Sequence, residues 1–162
     1  MSKVRYSVAA LTVAIAGITG TKLYEGKSNV AYVERVAGNR VVTVCYGHTR
    51  TAVMGQVYTD AQCDALLLKD LNEYYAPHVR RLVKVPLSQG EFNALVDFVY
   101  NLGPGALAGS TLLALVNSRQ YDKAALEFAK WKYVNGKDCT VPANKCGGIP
   151  KRRLWQQRMF ES

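Results

Sequence analysis

The 162-residue chain has no CxxC pair, and its only two histidines, His48 and His78, lie far apart along it. Structural zinc sites draw on closely paired cysteine and histidine ligands, so a metal centre is excluded and no cofactor is expected. Acidic residues are scarce as well: 12 aspartates and glutamates face 21 lysines and arginines, for a formal charge of +9. An excess of that size in so short a chain favours an anionic partner through long-range attraction. The cations are scattered except at Lys151-Arg152-Arg153, and no stripe of aromatics interleaves with them as tracking a strand of bases requires. Nucleic acid is therefore not the expected partner. Internal repeats and low-complexity linkers are missing too. What remains, with 49% apolar residues, suffices for one compact domain with an N-terminal appendage.

That appendage lacks both charge and length. Tyr6 to Thr21 carries no charged residue, between Lys3 and Arg5 on one side and Lys22 on the other. As a helix its 16 residues would reach about 24 Å, short of a hydrocarbon core of roughly 30 Å. Its alanines, glycines and hydroxyl residues are also less apolar than a permanent span. Three readings fit: a signal peptide cleaved at Ala14-Ile15-Ala16, a weak anchor that later leaves the membrane, or an alanine-rich core helix.

Four cysteines, at 45, 63, 139 and 146, suit an oxidising compartment. Cys139 and Cys146 bracket a short loop and form the simplest local pair. Cys45 and Cys63 are left either as a second disulfide or as two buried thiols.

Past the appendage, short strands precede helices, the α+β signature of segregated elements. Ala31 to Val33 and Val41 to Tyr46 favour strand, and Gly38-Asn39 between them is a turn signal, so a hairpin is predicted. Thr59 to Gln62 and Ser88 to Glu91 are capping boxes. The first opens a helix that Pro77 ends or kinks. The second opens a nearly all-round apolar helix closed by Gly103-Pro104, which belongs at the centre of the core. Further helices are predicted near Ser110 to Asn117, over Tyr121 to Val134, and from about Pro150.

Glu25 and Glu34, nine apart, are candidates for glycosidic chemistry, in which one carboxyl protonates the leaving oxygen and a second carboxylate activates water or stabilises charge on the opposite face. The spacing alone is common among surface glutamates. Around it stand Glu25-Gly26, Ala31-Tyr32, Thr43-Val44-Cys45-Tyr46-Gly47-His48-Thr49, Phe98 to Gly103 and Ser110-Thr111-Leu112-Leu113. This ordered set, over about residues 22 to 158, resembles the phage lysozymes of the T-even type, glycoside hydrolase family 24.

The resemblance implies a lysozyme-like fold with a small β-hairpin lobe, a larger helical lobe and a cleft between them. It implies a monomeric muramidase that cleaves the β-1,4 bond between N-acetylmuramic acid and N-acetylglucosamine of peptidoglycan with inversion. Glu25 matches the family's acid and Thr43 the threonine that helps hold the attacking water. The second carboxylate, an aspartate in the family, falls on Glu34, and the loop from Arg35 to Val42 is extended; no other acid lies between Glu25 and Asp60. His48 becomes a structural histidine bonded to Asp97 or to backbone, Asn101 a supporting or substrate contact, and Arg152 or Arg153 the partner of Glu25. Trp131 and Trp155 serve the core or stack on sugar, with Trp155 favoured as core.

Cleavage after Ala16 would leave about nine residues to carry Glu25, short for a stable helix, so retention is preferred. The chain then resembles the signal-arrest-release endolysins. Residues 1–21 would be exported by the host secretion machinery and tethered to the inner membrane, then released into the periplasm, where they refold into the helix that presents Glu25 of the catalytic domain, 22–162. With no cysteine before Glu25, that release cannot depend on a thiol of the segment. A lytic transglycosylase using Glu25 alone and a non-enzymatic cationic membrane-disrupting protein are the competing functions.

Overall fold

The computed structural model describes residues 3–36 and 38–162. Met1 and Ser2 of the N-terminal segment and Ala37 of the extended hairpin loop lie outside the described residues. The architecture is α+β, with a β-hairpin lobe set beside a helical lobe.

The hairpin pairs β1 (Ser28–Val36) with β2 (Asn39–Cys45), antiparallel, through Gly38 at φ +85°, a conformation that suits glycine. Asn39 already belongs to β2 and pairs with Val36. On the other edge of β1, Ala31 N–H donates to Gln56 O and Tyr58 N–H to Asn29 O, so a returning segment shields that edge. A tight turn follows β2, with Val44 and His48 exchanging backbone hydrogen bonds of 2.9 Å around Gly47 at φ +92°. A disulfide joins Cys45 at the end of β2 to Cys63 in α2 (Asp60–Asp70) and fastens the hairpin to the first long helix.

Both capping boxes form, at Thr59/Gln62 and Ser88/Glu91. Pro77 does not end its helix. Leu71–Tyr75 widens into a π-helical turn, in which Ala76 N–H reaches back five residues to Leu71 O, and α3 (Ala76–Leu82) continues beyond it. A wider turn is one way for a helix to admit a proline ring and its missing N–H.

The core sits around α4 (Gln89–Leu102), where Phe92, Ala94, Leu95, Phe98 and Val99 are fully buried. Each such large side chain contributes about 1.5–3 kcal/mol of transfer free energy. Against it pack α3, α5 (Pro104–Ala108) and α8 (Gly148–Glu161), while α6 (Thr111–Asn117) packs on α5 and α7 (Tyr121–Glu127), and α7 packs on α8. The helix expected over Tyr121 to Val134 is shorter. After a 3-10 turn at Phe128–Lys130 the chain forms a second hairpin, β3 (Tyr133–Val134) with β4 (Lys137–Asp138). The cause is Asn135-Gly136, both at positive φ (50° and 76°), the dipeptide preferred in two-residue hairpin turns. A disulfide between Cys139 and Cys146 closes the loop that leads into α8.

The N-terminal segment is not one helix. It has 3-10 turns at Val8–Ala10 and Ile15–Ile18, and only α1 (Thr19–Tyr24) is α-helical. Gly17, Gly20 and the β-branched Thr12, Val13, Ile15, Ile18, Thr19 and Thr21 are poor helix formers, and tertiary contacts decide their conformation. Leu11, Val13 and Ile18 are buried, Tyr6 bridges to Leu87, and Asn72 brackets the backbone of Val13 with two 2.9 Å bonds. The Arg5 guanidinium meets the fully buried Glu91 at 2.6 Å, and Gly20 lies so close to Trp155 that a Cβ there would fall 1.8 Å from the indole. Residues 3–21 thus pack along the helical lobe. No helix among the described residues is long and apolar enough to cross a membrane.

Candidate active site

Glu25 stands where α1 stops. Its backbone turns extended (φ −92°, ψ 133°) while its N–H still donates to Thr21 O at 3.1 Å. The side chain is about a quarter exposed and lines an open cavity of about 400 Å³ together with Tyr24, Asn101 and Arg152. Val134 and Ile149, from the second hairpin and the start of α8, line the same cavity.

Beneath Glu25 lies a buried ionic network. Arg152, with 4% of its side chain exposed, donates from Nη1 to Glu25. Its Nη2 and Nε donate to the two oxygens of Asp97 at 2.8 and 3.2 Å. Asp97, the one acid in the apolar stretch from Phe92 to Leu102, also accepts from Thr21 Oγ1 at 2.8 Å and from Gln156 Nε2 at 2.6 Å. Every buried charge here is therefore paired and hydrogen-bonded, the condition under which such charges are tolerated. Burial pulls the Arg152 pKa down, but the two carboxylates outweigh it and the net shift is upward, so this cation is permanent.

Arg153 differs from its neighbour and does not pair with Glu25. It turns into the core, fully buried, and donates to Trp131 O at 3.0 Å, to Gln156 Oε1 at 2.7 Å and to Asn101. Burial first, and then the adjacent Arg152 charge, push its pKa down to about 10. Through Arg153 the cavity-lining Asn101 is oriented, and Trp131 packs edge-on against Phe98 in the core. Trp155 is half-buried against Gly20 and Tyr24.

The hairpin places Glu34 and Thr43 on one face. Tyr32 pairs with Thr43 and Glu34 with Val41, which makes Glu34 and Thr43 diagonal neighbours. Thr43 is buried, Glu34 exposed, and the hydroxyl donates to Glu34 Oε2 at 3.5 Å. Neither lines the cavity that Glu25 lines. His48 is buried, and its partner is Asp70, not Asp97: Nδ1 meets Asp70 Oδ2 at 2.7 Å and Nε2 meets Thr51 Oγ1 at 2.8 Å. Asp97 is already saturated by Arg152, Thr21 and Gln156. His48 thus locks the turn after β2 onto the helix end where the π turn begins. Tyr100 adds a second tie by donating to Tyr46 O, and its pKa is raised, by burial first and then by the Glu25 charge. The expectations from sequence named Asp97 only as a partner for His48, and gave Thr21 and Gln156 no role at the site. Their available signals were a lone acid in an apolar helix and a glutamine one turn beyond the arginine pair.

A model of the family described as phage lysozyme matches residues 22–155. The chain belongs to the phage lysozyme family. This family member is similar to the SAR-endolysin of Escherichia phage Mu, 36% identical over 158 residues that cover 93% of the chain and 86% of the relative. It is 36% identical to the endolysin of Bacillus phage B103 over 151 residues, covering 93% of the chain. The match spans 54% of that relative, so the chain covers about half of its length. Among solved structures it resembles the muramidase domain of SpmX from Asticaccaulis excentricus, with a TM-score of 0.78 and 29% identity, covering 94% of the chain and 99% of that domain. The α+β fold of this lysozyme is therefore lysozyme-like.

Proposed function

We propose that this phage lysozyme is an endolysin, a muramidase that hydrolyses the β-1,4 bond between N-acetylmuramic acid and N-acetylglucosamine in peptidoglycan, with Glu25 as its general acid. The observation that carries the reading is that Glu25 lines an open cavity and is held there by Arg152, itself locked by Asp97. A proton donor fixed relative to the substrate avoids reorganisation at the moment of transfer.

In this reading Glu25 delivers its proton to the glycosidic oxygen as the bond to the anomeric carbon breaks. Glu34 and Thr43 hold a water on the opposite face; Glu34 takes one proton from that water, and the water oxygen forms the new bond to the anomeric carbon, with inversion. Thr43 supports that role because its buried hydroxyl donates to Glu34 and keeps lone pairs to accept from a water. Asn101 and Arg153 support the cavity floor, and His48 holds the hairpin lobe on the helical lobe. No metal or cofactor enters.

The N-terminal residues 1–21 act as a signal-arrest-release segment in the same proposal. Carried out by the host secretion machinery and held on the inner membrane, the segment keeps Thr21 away from Asp97. Released into the periplasm, it seats along the helical lobe as described above. The lysozyme works as a monomer on the wall.

Digestion of purified walls followed by mass spectrometry tests the chemistry. Reducing muramic ends are expected; anhydro ends would mean a lytic transglycosylase. Full lytic activity in Glu25→Gln would instead mean a non-enzymatic, membrane-disrupting protein. Deleting residues 1–20 should abolish soluble activity, and full activity after the deletion would refute the seated-segment account.

A further inference from the structure

The hairpin lobe has an apolar edge that its fold does not require. The segment that shields β1 pairs Val57 with Val30 in antiparallel sense, so the residues before it, Val53 to Gln56, lie toward the hairpin tip. They form a tight turn, in which Gln56 N–H donates to Val53 O at 3.1 Å and Gly55 sits at φ +83°. The Gln56 side chain braces that turn, accepting from Val53 N–H at 3.3 Å and from the Tyr58 hydroxyl at 2.7 Å. Turns favour glycine, proline, asparagine, aspartate and serine. Here the braced turn displays Val53 and Met54, 57% and 55% exposed, next to Val57 at 70%.

At the tip two like charges face each other. Arg35 pairs directly with Arg40 across the hairpin, on the same face as the pair Val33 and Val42. Like charges placed opposite one another destabilise a strand pair. Both arginines are exposed, and neither makes an ion pair among the described residues. The other cations of the lobe are engaged: Lys27 pairs with Asp60 at 2.7 Å, and the Arg50 guanidinium lies 3.5 Å from the centre of the Tyr74 ring. Glu34, the one acid between Gly26 and Thr59, alternates to the other face of β1. None of Val53, Met54, Val57, Arg35 or Arg40 lines the cavity of Glu25.

We infer that this edge of the hairpin lobe docks on a bilayer of anionic phospholipid, with Val53, Met54 and Val57 at the acyl boundary and Arg35 and Arg40 on the lipid phosphates. A contiguous exposed apolar patch marks a contact surface. Two unpaired guanidiniums beside it suit phosphate, which they bind in forked geometry, and long arginine stems reach headgroups while apolar neighbours sit deeper. Phosphates between the arginines also offset the repulsion that the fold leaves uncompensated. The contact is separate from the N-terminal segment and independent of the muramidase reading. It would hold the folded enzyme at a membrane surface by its smaller lobe.

The test uses the full chain with vesicles of equal parts phosphatidylglycerol and phosphatidylcholine, and with pure phosphatidylcholine vesicles as the uncharged control. Sedimentation should show wild-type binding to the anionic vesicles alone, weakening as salt is added. Arg35→Ala/Arg40→Ala should lower that affinity roughly 10- to 30-fold, the scale of two basic residues at an anionic surface. The double variant should melt no lower than the wild type, because removing opposed charges relieves the hairpin. Tryptophan reporters locate the contact, read as the difference from the wild-type emission spectrum. Met54→Trp should shift to the blue on anionic vesicles, while Ile15→Trp, on the exposed side of the N-terminal segment, should not. A shift at residue 15 without one at residue 54 would overturn the inference, since the N-terminal segment would then make the contact. So would unchanged vesicle affinity in the arginine variant, and so would a variant that keeps its affinity but aggregates, because the arginines would then serve only to guard a strand edge. Release of reducing ends from purified walls is a separate measurement, and its failure would bring down the muramidase reading and leave the vesicle results standing.

Discussion

The two carboxylates of the proposed reaction are held in opposite ways. Glu25 belongs to the helical lobe and rests on a buried network in which Arg152, Asp97, Thr21 and Gln156 saturate one another. Glu34 belongs to the hairpin lobe, is exposed, and has one 3.5 Å contact with Thr43. The first position is set by packing and costs stability if disturbed. The second is set by strand register, which fixes which face a side chain takes and leaves the long glutamate free to adjust. In the proposed reaction, one lobe would supply a preset donor and the other an adaptable acceptor.

The largest effect expected from this contrast is on the rate. Glu25→Gln should lower release of reducing ends by about 10³-fold or more, within the range of a lost general acid, with only a small change in melting temperature. Asp97→Ala should act on stability instead. It leaves Arg152 buried with one partner fewer, a loss of about 3–5 kcal/mol that calorimetry would read as a fall of roughly 10 °C. If Asp97→Ala melted like the wild type, the network would not be what holds Glu25. On the other lobe, Glu34→Gln should cost about 10²-fold in rate while the unfolding free energy from urea melts stays within about 0.5 kcal/mol of wild type. Near-normal activity in that variant would remove Glu34 from the reaction.

Two smaller effects sharpen the comparison at its seam. Gly20→Ala places a methyl group against the indole of Trp155, and overpacking should destabilise the fold by about 1–3 kcal/mol, measurable by urea melts. The smallest concerns pH. The Asp64 pKa is lowered, chiefly by its hydrogen bond from Lys22, with Tyr46 contributing, so the contact joins α1, the hairpin lobe and α2. A carboxylate whose folded pKa is depressed adds stability that is complete above its unfolded pKa of about 3.9 and is lost as pH falls through the folded value. Stability should therefore decline below about pH 4, and Lys22→Ala should make that decline shallower.

Much of the helical lobe was legible because its signals are local. The capping boxes at Thr59 and Ser88 start helices where they occur, and α4 is apolar on nearly every side because it is surrounded. The hairpin was legible from β-branched runs around Gly38. Other features depended on longer reach. Pro77 was read as a helix end or a kink, and the helix runs on through a π turn just before it. Asn135-Gly136, just beyond the stretch read as helix, was a hairpin signal that draws Tyr133–Val134 into a strand. His48 could have bonded to any nearby acid, and whether Asp70 or Asp97 was free depended on where Arg152 went.

By itself, then, the sequence determined the class of elements, the order of the family's motifs and the candidate glutamates, because these rest on periodicity, turn chemistry and residue type. Only the tertiary structure decided which arginine meets Glu25. Arg152 and Arg153 are adjacent on one helix and chemically identical, so nothing local distinguishes them, and their assignment follows from which face of α8 meets Asp97 on α4. The same holds for the N-terminal segment. Its small and β-branched residues permit several conformations, and the groove that receives them, with Trp155 over Gly20 and Glu91 facing Arg5, selects one.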